Sequence, residues 1–150
     1  MKKLLIVFLC GLFACEAWGQ LRVTSEKMDK IEYISSARAK SVQLNKMGDD
    51  WYIAMRSTNR FDKLGVFMLG STAEEAVETI SDLIGLCDKL DAGESVTVND
   101  GDQQVVVRVE KMLGKKYLQF KMRGIAGMLA GITPKELEKF KEAIAKYSNE

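Results

Sequence analysis

Residues 68–90, MLGSTAEEAVETISDLIGLCDKL, carry the reading that decides the fold, because a strand ending, a helix start and a long apolar stripe lie in one run. Leu64, Val66, Phe67, Met68 and Leu69 form an apolar extended segment that Gly70 stops. Thr72 then stands three residues before Glu75, the spacing at which a hydroxyl and a carboxylate reciprocally satisfy the exposed amides of a first helical turn. Ala76, Val77, Ile80, Leu83, Ile84, Cys87 and Leu90 follow at three- and four-residue intervals, so one face of a helix ending before Gly93 is apolar. Such a stripe needs an apolar surface to cover, and the strand beside it offers one.

Working outward, a second junction of the same kind closes the chain. Met128, Leu129, Gly131, Thr133 and Glu136 align with Met68, Leu69, Gly70, Thr72 and Glu75, with one inserted residue. Pro134 is pre-organised for the first helical position, and Leu137, Phe140, Ile144 and Tyr147 make the second stripe. Before each junction lie alternating segments. Val96 and Val98 lead to an Asn99-Asp100-Gly101 turn, Val105, Val107 and Val109 lead out of it, and Leu118, Phe120 and Met122 follow a turn at Gly114–Lys116. In the first half, Ile31–Leu44 reads as one long bent strand in preference to a short helix and a strand, Gly48, Asp49 and Asp50 as a turn, and Trp51–Met55 as an aromatic and apolar strand.

These elements predict an α+β domain of antiparallel β-sheet, continuous or in two halves, with both amphipathic helices packed on one face. The parallel between residues 40–92 and 94–148 suggests a duplicated β-β-β-α unit; against it, capping chemistry alone selects Gly, Thr and Glu at any strand-to-helix junction. In element order alone the arrangement resembles several duplicated sheet-plus-helix folds, whirly-type single-strand binders among them. No motif is shared with them, and no residue is carried over.

At the N-terminus, Lys2 and Lys3 precede an apolar run from Leu4 to Ala14 that is too short to span a bilayer as a helix. Ala17 and Gly19 place small residues three and one positions before Gln20, so residues 1–19 are expected to be a cleavable secretory signal and residues 20–150 one exported domain, periplasmic or extracellular. The competing reading makes Cys15 the lipid-bearing residue of a lipoprotein; bulky Phe13 and the short preceding segment weigh against it.

Composition then narrows the chemistry. The chain has no histidine, which removes His-based triads, His-containing zinc sites and the usual proton-transfer side chain near neutrality. Without residues 1–19, which hold Lys2, Lys3 and Glu16, basic and acidic side chains are equal in number, so no global field favours nucleic acid or anionic lipid. Cys87 is the one cysteine beyond the leader; a disulfide within the monomer is excluded, and its place on the stripe marks it as a core residue.

Motifs for catalysis, metal or cofactor are faint. Asn99–Asp102 resembles half of a calcium loop but lacks the downstream glutamate. Gly124, Gly127 and Gly131 precede a helix, yet apolar residues lie between them and no Lys-Ser/Thr pair follows, so the segment reads as a strand or loop packed against the sheet. Asp49, Asp50, Asp62, Asp100 and Asp102 are carboxylates in turns, and no pair of them can be set face to face. Two surface candidates remain. Asn59, Arg60, Phe61 and Asp62 form a polar and aromatic loop suited to recognition. Lys111, Lys115, Lys116, Lys121 and Arg123 gather around one hairpin with Tyr117 and Phe120 interleaved, a composition that suits phosphate backbones; a solvated sheet edge guarded by lysines is the better explanation, since acidic residues balance the chain and an exported protein rarely meets nucleic acid.

No catalytic, cofactor or metal residue is assigned. The expected function is a non-catalytic binding or protein-interaction module, with a protein or small ligand outside the cytoplasm as its partner. Two alternatives stand beside it, a carboxylate-based hydrolase and a structural homodimer of the cell envelope. The processing step is directly measurable: protein recovered from an expressing cell should have an intact mass beginning at Gln20, and retention of residues 1–19 would refute the signal reading.

Overall fold

A computed structural model describes residues 30–59, 64–101 and 103–149. The expected leader, together with Arg60, Phe61, Asp62 and Asp102, lies outside the described residues. The elements run β1 (Ile31–Ala37), β2 (Val42–Met47), β3 (Asp50–Arg56), β4 (Leu64–Gly70), α1 (Ala73–Lys89), β5 (Ser95–Asp100), β6 (Gln103–Met112), β7 (Lys115–Met122) and α2 (Pro134–Ser148). Two antiparallel meanders result, a four-stranded sheet β1-β2-β3-β4 and a three-stranded sheet β5-β6-β7. The fold is α+β as expected.

The segment read as one bent strand over Ile31–Leu44 is instead two strands folded back on each other, with Ala37 opposite Val42 and Tyr33 opposite Asn45. Arg38, Ala39 and Lys40 make the reversal with φ of 48°, 52° and 68°. Three successive left-handed residues without glycine cost on the order of 1 kcal/mol each, and no Gly, Asn or Asp marks them in the sequence. Tertiary contacts hold the turn in place: the Arg38 guanidinium lies 5.2 Å from the centre of the Tyr117 ring and 3.6 Å from the Glu136 carboxylate.

Both helices start where the threonines stand. Thr72 and Thr133 each accept the amide of the residue three positions on, Glu75 and Glu136. At Thr133 the box is reciprocal, because Glu136 accepts the Thr133 amide; at Thr72 it is not, because Glu75 reaches one residue further back to the Ser71 amide. The stripes then bury together. Ala76, Ile80, Leu83 and Cys87 of α1 and Leu137, Phe140 and Ile144 of α2 join one core with β2, β3, β4, β6 and β7, so both helices sit against the same side of the strands. Thr79 ties α1 to β4 by donating to the Leu69 carbonyl at 2.7 Å, and Lys116 caps its far end by donating to the carbonyls of Cys87 and Leu90.

The glycine-rich stretch joins the two sheets. Ala130 donates to the Arg56 carbonyl and Thr58 to the Met128 carbonyl, while on the other edge Leu129 donates to the Phe120 carbonyl and Ile132 exchanges both bonds with Leu118. Leu129 and Ile132 are fully buried between them. Gly131 is required because a Cβ there would sit 2.5 Å from the Tyr117 ring. Element order repeats as three strands and a helix. A duplication is not established, since β1 has no counterpart in the second half and the connector separates β7 from α2, whereas β4 leads almost directly into α1.

Leu129 rests on bare backbone at Gly65, where a Cβ would lie 2.3 Å from its Cδ1. Gly65→Ala should therefore destabilise the fold by about 1–3 kcal/mol in urea unfolding through overpacking. Gly85→Ala, in α1 with nothing within 4 Å of the added carbon, should be neutral or stabilise by up to about 1 kcal/mol. Equal effects at both positions would argue against the seat of the connector on β4.

Candidate functional site

Alternation along β3 separates two surfaces. Trp51, Ile53 and Met55 enter the core, so Asp50, Tyr52, Ala54 and Arg56 point the other way. Their cross-strand partners share that outer face: Met47 lies opposite Asp50, Asn45 opposite Tyr52 and Gln43 opposite Ala54 on one side, with Met68, Val66 and Leu64 opposite Tyr52, Ala54 and Arg56 on the other. Ile31 and Tyr33 of β1 extend the face through their partners Met47 and Asn45.

Neither of the two described helices covers this surface, and its described side chains are mostly apolar. Ile31 is 60% exposed, Tyr33 57%, Leu64 55%, Val66 44%, Met47 40% and Met68 37%, and these six are most of the large hydrophobic side chains that the described residues expose. Tyr52, Ala54 and Asn45 form its buried middle. Asn45 donates to the Gln43 carbonyl, and burial pushes the Tyr52 phenol up from its ordinary value of 10.0, so both are neutral groups at physiological pH. Exposed apolar surfaces of this kind are uncommon on folded proteins that stay monomeric.

The outer face of the second sheet is built differently. Val105, Val107 and Val109 enter the core, which leaves Thr97, Val106 and Lys121 aligned across the strands, with Ser95, Arg108 and Gln119 beside them. This face is polar and carries an Arg108–Glu110 ion pair at 2.8 Å. The contrast singles out the first sheet.

The basic hairpin residues do not form one patch. Lys111 and Lys116 pair with each other at the β6–β7 turn on the core side, where the Lys116 ammonium is occupied by the α1 carbonyls. Lys115 and Lys121 lie on the opposite side of β7, and Lys121 and Arg123 stand at its far end, roughly 20 Å away at strand rise. Beside the turn, Lys115, Lys135 and Lys139 rim a cleft of about 640 Å³ that Asp88 and Glu136 also line, with the buried Cys87 at its wall. Burial, with the Asp88 charge adding to it, raises the Cys87 thiol above 9.0 against the opposing influence of Lys116, so the thiolate that reactivity requires is disfavoured. Of the loop expected to serve recognition, Asn59 alone falls among the described residues; its amide donates to the Ser57 hydroxyl.

The carboxylates also serve the scaffold. Asp50 accepts from the Ser71 hydroxyl at 2.7 Å, and Asp100 accepts the Met68 amide at 3.2 Å, tying the end of β5 to the edge of β4. Among the described residues, no group of three or more Cys, Asp or Glu side chains is placed to hold a metal ion. No described helix is long and apolar enough to cross a membrane.

Asp100 carries a pH signature. Burial raises its carboxyl above 3.8, and the Met68 amide partly opposes the shift. As pH climbs past that value the unfolded carboxyl ionises before the folded one, so this group makes stability fall with rising pH until the folded carboxyl has ionised too. Asp100→Asn keeps an acceptor for the amide and removes the titration. The urea midpoint of the Asn variant relative to the parent should therefore improve as pH rises from about 4; a relative midpoint independent of pH would contradict the burial of Asp100. No protein-family model matches the chain, and the search of curated proteins found no match.

Proposed function

We propose that this chain is an exported, non-catalytic protein-interaction module whose contact surface is the outer face of β1–β4. The observation that carries the reading is the apolar face itself, with Ile31, Tyr33, Met47, Leu64, Val66 and Met68 exposed on a sheet whose other side is already filled by two helices. A cell that keeps such a surface in contact with water accepts an aggregation hazard, and the usual reason is that a partner covers it.

The shape of the surface indicates the kind of partner. It is broad and is made of side chains standing off a pleated layer, whereas a small molecule needs a concave pocket that encloses most of its area. Its centre is free of charge, matching the depletion of charged residues at the cores of protein interfaces. The missing histidine, the raised thiol of Cys87 and the structural use of Asp50 and Asp100 leave little for acid–base or nucleophilic work.

A photo-crosslinking amino acid placed at Val66 tests the reading in living cells. Irradiation should give protein adducts at position 66 and none at Thr97 on the polar sheet. No adduct at 66, or equal yields at both positions, would overturn it.

A further inference from the structure

The partner can be named more closely. We infer that the occupant of the outer face is a second copy of this chain, packed sheet against sheet about an in-plane twofold axis with the two β3 strands antiparallel across the interface. The inference rests on the interaction-module reading and adds the identity of the partner.

Charge placement carries the first part of the argument. Four charged residues lie in β1–β4: Glu32, Lys46, Asp50 and Arg56. Glu32 and Lys46 are cross-strand partners on the helix side, where Glu32 accepts the Tyr147 hydroxyl and Lys46 approaches the Trp51 ring. Among the described strand residues the outer face therefore holds only Asp50 and Arg56, at opposite ends of β3, one negative and one positive, separated by roughly 20 Å of strand. A second identical face turned antiparallel sets Asp50 against the partner's Arg56 and Arg56 against the partner's Asp50. The parallel alternative opposes like charges twice. The face is thus self-complementary in one orientation, which is the property a twofold interface requires.

Size and texture carry the second part. Four strands about 4.8 Å apart and six or seven residues long present roughly 20 by 23 Å, and two such faces with protruding side chains bury on the order of 1,000 Å², the lower bound of a specific interface. Between its charged ends the face alternates large Tyr33, Met47 and Met68 with small Ala54 at the centre, so two copies can interdigitate at the spacing of about 10 Å found between packed sheets. Met47 and Met68 are unbranched and adapt to irregular gaps in such a layer.

Sedimentation equilibrium of the purified protein decides the matter, with urea unfolding confirming that each variant folds. The parent should be a dimer at micromolar concentration. Val66→Lys, at a side chain that is exposed in the single chain, should weaken the dimer by about a hundredfold or more, because two ammonium groups would enter a dry layer. Arg56→Glu should weaken it roughly tenfold, and the double exchange of Asp50→Arg with Arg56→Asp should restore it to within about threefold of the parent. Lys121→Glu, on the polar sheet, should leave it unchanged. A monomer at about 100 µM, or a dimer indifferent to Val66→Lys, would overturn the second-copy assignment. The crosslinks at position 66 separate the two ideas: adducts of twice the chain mass agree with a second copy, adducts to another protein leave the interaction-module reading standing alone, and no adduct removes both.

Discussion

Backbone pairing of the connector at Met128–Ile132 is the constraint on which the rest of this fold depends. Buried amides and carbonyls must find partners, and here one short segment satisfies its groups on Arg56 and Thr58 along one edge and on Leu118 and Phe120 along the other. Without it, two meanders would each have a free edge and half a core. With it, Phe67 of the first sheet and Phe120 of the second meet at 5.3 Å, and the helices close over a common interior. Gly131 is bare because the Tyr117 ring occupies the space a Cβ would need, and just upstream the Ser57 hydroxyl does the same at Gly127.

Once both helices are spent on one side of the strands, the other sides must be covered some other way. The second sheet solves this with Thr97, Arg108, Gln119 and Lys121, an ordinary solvated face. The first sheet does not. It keeps Ile31, Tyr33, Leu64 and Val66 at the surface while its core-facing residues are as well buried as any in the molecule. That imbalance between two sheets of one small domain is what the proposed interaction surface rests on, and the opposite charges at the two ends of β3 give the proposal its orientation.

Several devices elsewhere hold elements at fixed distances and do no chemistry. Lys116 is bound to the end of α1, Arg38 bridges the β1–β2 turn to Tyr117 and Glu136, and Tyr147 packs edge-on against Trp51 at 5.5 Å while donating to Glu32. Each joins a charged or aromatic side chain of one element to the backbone or ring of another. The first of them withdraws Lys116 from the basic run that the sequence presents.

Local chemistry made much of this architecture readable from the chain alone. Capping threonines at 72 and 133, helical stripes of period near 3.6 and the alternating valines of 96–109 depend on neighbours within a few residues, and each predicted its element. The spare sheet face was legible too, since two stripes cannot cover both sides of two meanders. Its composition was not, because the side on which Tyr33, Met47 and Val66 stand depends on strand register and on the reversal at Arg38–Lys40. That reversal uses left-handed residues with no local signal and is held by Tyr117 and Glu136, about 80 and about 100 positions away. The sharing of one core through the connector was hidden for the same reason: hydrogen bonds between distant segments leave no periodicity in a sequence, and only the folded chain brings their two ends together.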